Sequence, residues 1–102
     1  MLNQITVVGR LAQDLEIKEL ENGVKTCVIT LAVPRSFKNV DGEYDTDFVP
    51  CTLLGNVAEN TAELCKKGDV VGVRGRVQSN DSQIELIAEK VTFLSSKSKE
   101  SD

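Results

Sequence analysis

Apolar and polar residues take turns along most of this chain, and the places where the alternation stops mark its punctuation. Residues 3–11 set Ile5, Val7, Gly9 and Leu11 on one side and Gln4, Thr6, Val8 and Arg10 on the other, the period of a strand with one buried face. The apolar pattern resumes at Leu15 and Ile17 and pauses at the turn-forming "ENG" of residues 21–23. It restarts over residues 24–33, where Cys27, Ile29, Leu31 and Val33 oppose Thr26, Val28, Thr30 and Ala32. Pro34 is expected to stop that second strand. The segment "KNVDGEYDT" reads as a loop around an Asp41-Gly42 turn. A third strand, "DFVPCTLLG" (residues 47–55), has Val49, Cys51 and Leu53 as its core face, so Phe48, Pro50, Thr52 and Leu54 point the other way.

After Gly55 the period becomes helical. Asn56 is placed as an N-cap with Glu59 in a capping-box position, and Val57, Thr61 and Leu64 share one face. Lys66 and Lys67 suit the negative end of the dipole and Gly68 terminates a helix of about two and a half turns. Residues 69–77 alternate Val71, Val73, Gly75 and Val77 against Val70, Gly72, Arg74 and Arg76, which puts both arginines on the non-core face. A turn at residues 79–82 leads to "QIELIAEKVTFL", whose apolar positions change phase between Leu86 and Ile87, predicting a bulge, with Phe93 on the core side. Three strands, a helix and two strands give an all-β fold with one short helix. It is the order of a five-stranded OB-fold Greek-key barrel with the helix between strands three and four, a fold that binds oligonucleotides or oligosaccharides on strands two and three. An open sandwich satisfies the same pattern. Gly9, Gly72 and Gly75 read first as barrel-bending sites. Residues 1–94 form one domain and residues 95–102 a polar, disordered tail.

Composition narrows the chemistry. The 102 residues suit a single core, and no apolar run approaches the roughly 20 residues of a membrane span. The N-terminus lacks a signal-peptide pattern, so a cytoplasmic protein without membrane contact is expected. Cys27, Cys51 and Cys65 are odd in number, form no close pair and sit among apolar residues, which reads as reduced core thiols. With no His, neither a metal site nor acid-base machinery is offered, so no cofactor and no enzyme are expected. The net charge of −4 demands that any nucleic-acid binder concentrate its cations locally. The cations to place are Arg10, Arg35, Lys38, Arg74, Arg76 and Lys90, and three of the four aromatics (Phe37, Tyr44, Phe48) lie within residues 34–48.

"MLNQITVVGRLAQDLEI", Gly23, "LAVPRSF", "GEYDTDFV", "AEN" and "KGDVVGVRGRVQS", in that order over residues 1 to about 94, resemble the bacterial and phage single-stranded DNA-binding proteins. The resemblance implies an OB-fold, homo-oligomers (a dimer, or a tetramer built as a dimer of dimers), and single-stranded DNA held by aromatic stacking and a basic groove without catalysis. It makes Phe48 a stacking ring on strand three and Phe37 a second ring on the loop leaving strand two, with Arg35, Arg74 and Arg76 as groove residues. Lys38, Tyr44 and Arg10 join them as candidates, and Asn3, Ile5, Val7 and Val8 fall where the family's first strand pairs across a dimer. Three departures stand out. Leu54 replaces a ring beside the Gly after strand three, the hairpin between strands four and five shrinks to "SNDSQ", and "KSKESD" lacks the acidic tip with an apolar end that recruits replication and recombination proteins.

Each candidate has a plainer role open to it. Phe48 can cover a barrel edge or a subunit contact, Phe37 can plug a barrel end, and Tyr44 stands between Glu43 and Asp45. Arg74 and Arg76 can pair with Glu85 or Glu89, and Arg10 can belong to groove or interface. About three cations meeting phosphate give a logarithmic salt slope near −2. The expected function is sequence-tolerant single-stranded DNA binding in replication, recombination or repair, in a nucleoid-associated protein of a bacterium, phage or mobile element. An OB-fold accessory or scaffold subunit, primosome-like and binding proteins through the same rings, is the alternative.

Overall fold

The computed structural model describes residues 1–96. In chain order its elements are β1 (Ile5–Leu11), β2 (Lys18–Glu19), β3 (Lys25–Lys38), β4 (Tyr44–Leu54), α1 (Asn56–Leu64), β5 (Val70–Asn80) and β6 (Gln83–Ser95). The sheet runs β1-β5-β6-β4-β3-β2, and β3 returns to β1 through Arg10↔Ala32 and Leu11↔Leu31, so the five long strands close on themselves. β4 and β6 run parallel while the other pairings are antiparallel. This is the Greek-key barrel of an OB-fold rather than an open sandwich, with two-residue β2 added beside β3.

The alternation produces the core directly. Leu11, Leu31, Leu53, Val71 and Val73 are fully buried, with Cys27, Cys51 and Ile29 beside them. Each buried leucine or valine contributes about 1.5–3 kcal/mol relative to exposure. Where strands cross, bulk must vanish: a Cβ on Gly9 would meet Ala32 O at 2.9 Å, and one on Gly75 would meet Ile87 O at 2.0 Å. β6 does contain a bulge, but not between Leu86 and Ile87, which pair in register with Val77 and Arg76: Arg74 faces Lys90 while Gly75 faces Ala88, leaving Glu89 as the extra residue. Leu86, Ile87 and Ala88 can then all be buried in succession.

Four expectations give way. Pro34 does not end its strand: it faces Thr46 inside the ladder, and β3 runs on to Lys38 across a register shift that absorbs the missing N–H. The expected loop is therefore mostly a two-stranded ribbon. The helix is capped by Gly55, φ 61°, with no side-chain cap from Asn56, and it ends at Leu64, before Lys66 and Lys67. Its buried face is Ala58 and Thr61, leading to Cys65, whereas Leu64 is 73% exposed. Phe93 faces Val71 beside a second register shift and is 42% exposed, so it is not a core ring. Ser95, placed in the tail by its polarity, still pairs with Val70; residues 97–102 of the expected tail lie outside the described residues.

Candidate nucleic-acid interface

The outward row of the β3–β4 pair is built by the same alternation that fills the core. Thr26↔Leu54, Val28↔Thr52, Thr30↔Pro50 and Ala32↔Phe48 are cross-strand partners, and their neighbours Cys27, Ile29, Leu31, Cys51 and Leu53 point inward. At about 3.3 Å per residue the row from Phe48 to Leu54 is about 20 Å long. Phe48 is 64% exposed over small Ala32, and Val28 and Leu54 are exposed further along. The row holds no charged side chain. Val28 and Pro50 are members that the sequence placed outward without nominating; their alternation with Cys27 and Ile29, and with Val49 and Cys51, was the available signal.

Beyond the barrel the pair continues as a ribbon whose tip is organised by Asn39. Its Oδ1 accepts from the N–H groups of Asp41 (2.9 Å) and Glu43 (3.0 Å), and its Nδ2 donates to Asp45 Oδ1 (3.1 Å). Phe37 belongs to β3 rather than a loop and is 66% exposed. Lys38 Nζ lies 5.9 Å from the centroid of exposed Tyr44, at the limit of a cation–π contact. Arg35 is held by acids of the facing strand. Its Nε donates to Asp47 Oδ2 (3.1 Å) and Oδ1 (3.3 Å), its Nη2 to Asp47 Oδ1 (2.9 Å), and Nη1 stands 3.7 Å from Asp45 Oδ2. The hydrogen bonds that Arg35 donates to Asp47, together with that carboxylate's charge, raise the Arg35 pKa, and the same bonds hold Asp47 below its usual value.

The remaining candidates divide. Arg76 pairs with Glu89 at 3.6 Å and its Nη1 donates to Gln78 Oε1, the strand-charge role named above. Its ladder partner Ile87 is also the partner of Thr52, so Arg76 stands two strands, about 10 Å, from the β4 row. Arg74, between Thr6 and Lys90, belongs to the outer face of β1, β5 and β6, away from Phe48. Arg10 is half-buried and its Nη1 donates to Gly68 O at 2.7 Å, tying β1 to the turn after the helix. Asn3 bonds Val77 in both directions, Nδ2 donating to its O (2.8 Å) and Oδ1 accepting from its N–H (2.9 Å). Ile5 and Val7 pack on the core, and Val8 faces out. Ahead of Arg10 the β1 edge opposite β5 has no ladder partner among the described residues. A cleft of about 390 Å³ separates the β4 row from the β5–β6 hairpin, lined by Pro50, Thr52 and residues 80–85. Exposed Ile84, in the apolar pattern of its strand, belongs to this cleft instead of the core.

Residues 2–94 of the sequence match the single-strand binding protein family. The chain belongs to that family. It is 41% identical over 109 residues to Single-stranded DNA-binding protein B of Bacillus subtilis (strain 168), a match spanning 98% of this chain and 96% of that protein. It is 43% identical over 106 residues to Single-stranded DNA-binding protein 3 of Listeria innocua serovar 6a, covering 95% of this chain and 66% of the relative. Among solved structures it superposes on the wild-type single-stranded DNA binding protein from Thermus aquaticus with a TM-score of 0.78 at 22% identity, over 95% of this chain and 52% of that one, a likeness of fold. The chain thus spans nearly all of the first of these proteins and from half to two thirds of the other two. No described helix is long and apolar enough to cross a membrane.

Proposed function

We propose that this chain binds single-stranded DNA without reading its sequence, in replication, recombination or repair, and that the β3–β4 row is where the bases lie. The observation that carries this is Phe48, an exposed ring on an uncharged outward strand face in a member of the single-strand binding protein family. Phe37, Tyr44 and Lys38 extend the surface along the ribbon, Leu54 closes its far end with an aliphatic contact, and Arg35 borders it. Arg76 stands two strands from the row, and Arg74 and Arg10 contribute from outside it. Stacking on two rings supplies roughly 2–6 kcal/mol gross at about 1–3 per base, so several subunits are needed for tight binding. The open edge of β1 ahead of Arg10, with Asn3, Ile5, Val7 and Val8 along it, supports pairing with a second copy. The protein acts in the cytoplasm, at the nucleoid, without catalysis or cofactor. Titration of fluorescent oligo-dT tests the reading: salt-sensitive binding that drops in Phe48→Ala, with an unchanged melting curve, is expected, and binding unaffected by that substitution removes Phe48 from the site.

The acid-rich ribbon favours a second reading, an accessory subunit that grips proteins of replication or recombination with the same rings. A purified chain that ignores oligo-dT in dilute buffer yet retains a replication protein on a column decides for it.

A further inference from the structure

Pro50 and Thr52 belong both to the β4 row and to the cleft beside it, so a strand lying along the row passes the cleft's mouth. The opposite wall is the β5–β6 hairpin, which turns in two residues: Asn80 pairs with Gln83, and Asp81 takes the left-handed conformation at φ 58°. Pro50 and Ile84, the latter 75% exposed, supply apolar surface, and Thr52, Asn80 and Gln83 supply hydrogen-bonding groups. At about 390 Å³ the cleft lies near the lower bound of ligand sites, roughly 300–1,000 Å³. Its charged residues are Asp81 and Glu85, and no cation is among the described residues that line it. Two acids without a cation repel phosphate, so the base is the part of a nucleotide that this cleft suits.

Glu85 is placed by its neighbours. Leu86 pairs with Cys51 and both are buried, so Glu85 and Pro50, one step back along these parallel strands, turn outward together. Asn80 Nδ2 donates to Glu85 Oε2 at 3.3 Å, while Oε1 has no hydrogen bond to a described residue. A carboxylate only accepts, so the free oxygen asks for a donor.

We infer that Glu85 reads the edge of one base in the cleft, favouring bases that carry an exocyclic amino group over those that present a carbonyl at the same place. This rests on the single-stranded DNA reading and adds to it a bias of base class, not a motif. Pro50 is two residues, about 7 Å, from Phe48, so the base next to one stacked on Phe48 is the one that comes over the cleft. Cytosine there turns its 4-amino group to Oε1 and gains a charge-assisted hydrogen bond. Uracil or thymine sets a carbonyl oxygen against the carboxylate, acceptor against acceptor, and leaves it without a donor. Asn80 is a positioning residue, holding one oxygen and leaving the other to the base.

The test compares oligo-dC with oligo-dU, pyrimidines of equal size, at about pH 8, where cytosine is unprotonated. Wild type, Glu85→Gln and Asp81→Asn are titrated with both. Loss of a negative charge strengthens binding to either oligomer, so the ratio of the two affinities is the readout. Glu85→Gln should lower the preference for oligo-dC over oligo-dU about fivefold relative to wild type, the small end of what one base-edge contact discriminates, and Asp81→Asn should leave it unchanged. Independently of any variant, wild type should bind oligo-dC about fivefold more tightly than its 4-dimethylamino analogue, whose methyl groups remove the donors. The inference is overturned if Glu85→Gln leaves the ratio as in wild type, if Asp81→Asn lowers it equally, or if the dimethylated oligomer binds as well as oligo-dC. Those outcomes in a protein that binds both oligomers, and loses both in Phe48→Ala, leave the functional reading standing; a wild type that binds neither overturns both.

Discussion

The β3–β4 face and the β1–β5–β6 face of this barrel come from one alternating pattern, yet they leave opposite things unpaired. On the first, the outward row carries no charge and leaves Phe48 and Val28 exposed, while Lys25 and Arg35, off that row, are matched by Glu19, Asp47 and Asp45. On the second, Arg74 and Lys90 face each other across the ladder, flanking a shallow groove of about 190 Å³ with Thr6, Gly72, Val73 and Thr92. Exposed Val8 and Leu94 approach Gly72 from either side there. One face offers polarisable surface with almost no field; the other offers a field with little to stack on. A chain of net charge −4 can thus present a site to bases without being basic.

The strongest way to break the comparison removes the body that both faces share. Gly75→Ala sets a methyl against Ile87 O and should destabilise the barrel by about 3 kcal/mol, read from urea unfolding, with both faces lost together. Phe48→Ala separates them: oligo-dT binding should weaken by about 1–3 kcal/mol, five- to 150-fold, with the unfolding midpoint unmoved, whereas Phe93→Ala should leave binding as it was. Val8→Lys adds charge to the other face; sedimentation should show a smaller assembly, with affinity for a very short oligonucleotide retained and that for a long one reduced.

Two subtler effects follow from ionisation. Because Arg35 lowers the Asp47 pKa, their pairing contributes fully above the unfolded value near 3.9 and is lost only as pH falls through the lower folded value. Carboxyl titration by NMR should place the Asp47 midpoint lower in the folded protein than in urea, and the Arg35–Asp47 pair should stay closed throughout pH 5–8. Burial pushes the Cys51 thiol up to about 11, so it should resist thiol reagents at pH 8 until the protein unfolds.

Much of this was legible before any coordinates, and for one reason: a strand with one buried face fixes its own phase. Leu31, Cys51, Leu53, Val71 and the outward turn of Phe48 followed from period two, and the existence of a bulge in the last strand from its interruption, though the bulge falls at Glu89 and not between Leu86 and Ile87. What escaped was settled by pairing at a distance. Pro34 stops a strand by local rules, but a partner at Thr46 and a tolerant register shift overrode them. The pairing of Arg35 with Asp47 depends on knowing that Val33 meets Asp47, which the unknown length of the Asn39 turn concealed. Arg74 was correctly turned away from the core, yet outward means a different direction at each point of a cylinder, and only its closure reveals that Arg74 and Phe48 diverge. The helix face shifted because Ala58 and Cys65, too small to dominate a hydrophobic pattern, outcompeted Leu64 for the interior.

The barrel is sealed at two crossings by a missing carbon, at Gly9 against β3 and at Gly75 against β6. Its tolerance for change is consequently lopsided. Rings and charges on the exterior can be exchanged, and affinity retuned, without disturbing the scaffold. A single methyl at either seam is not negotiable, so descendants of this molecule have freedom to alter what they hold and almost none to alter how they close.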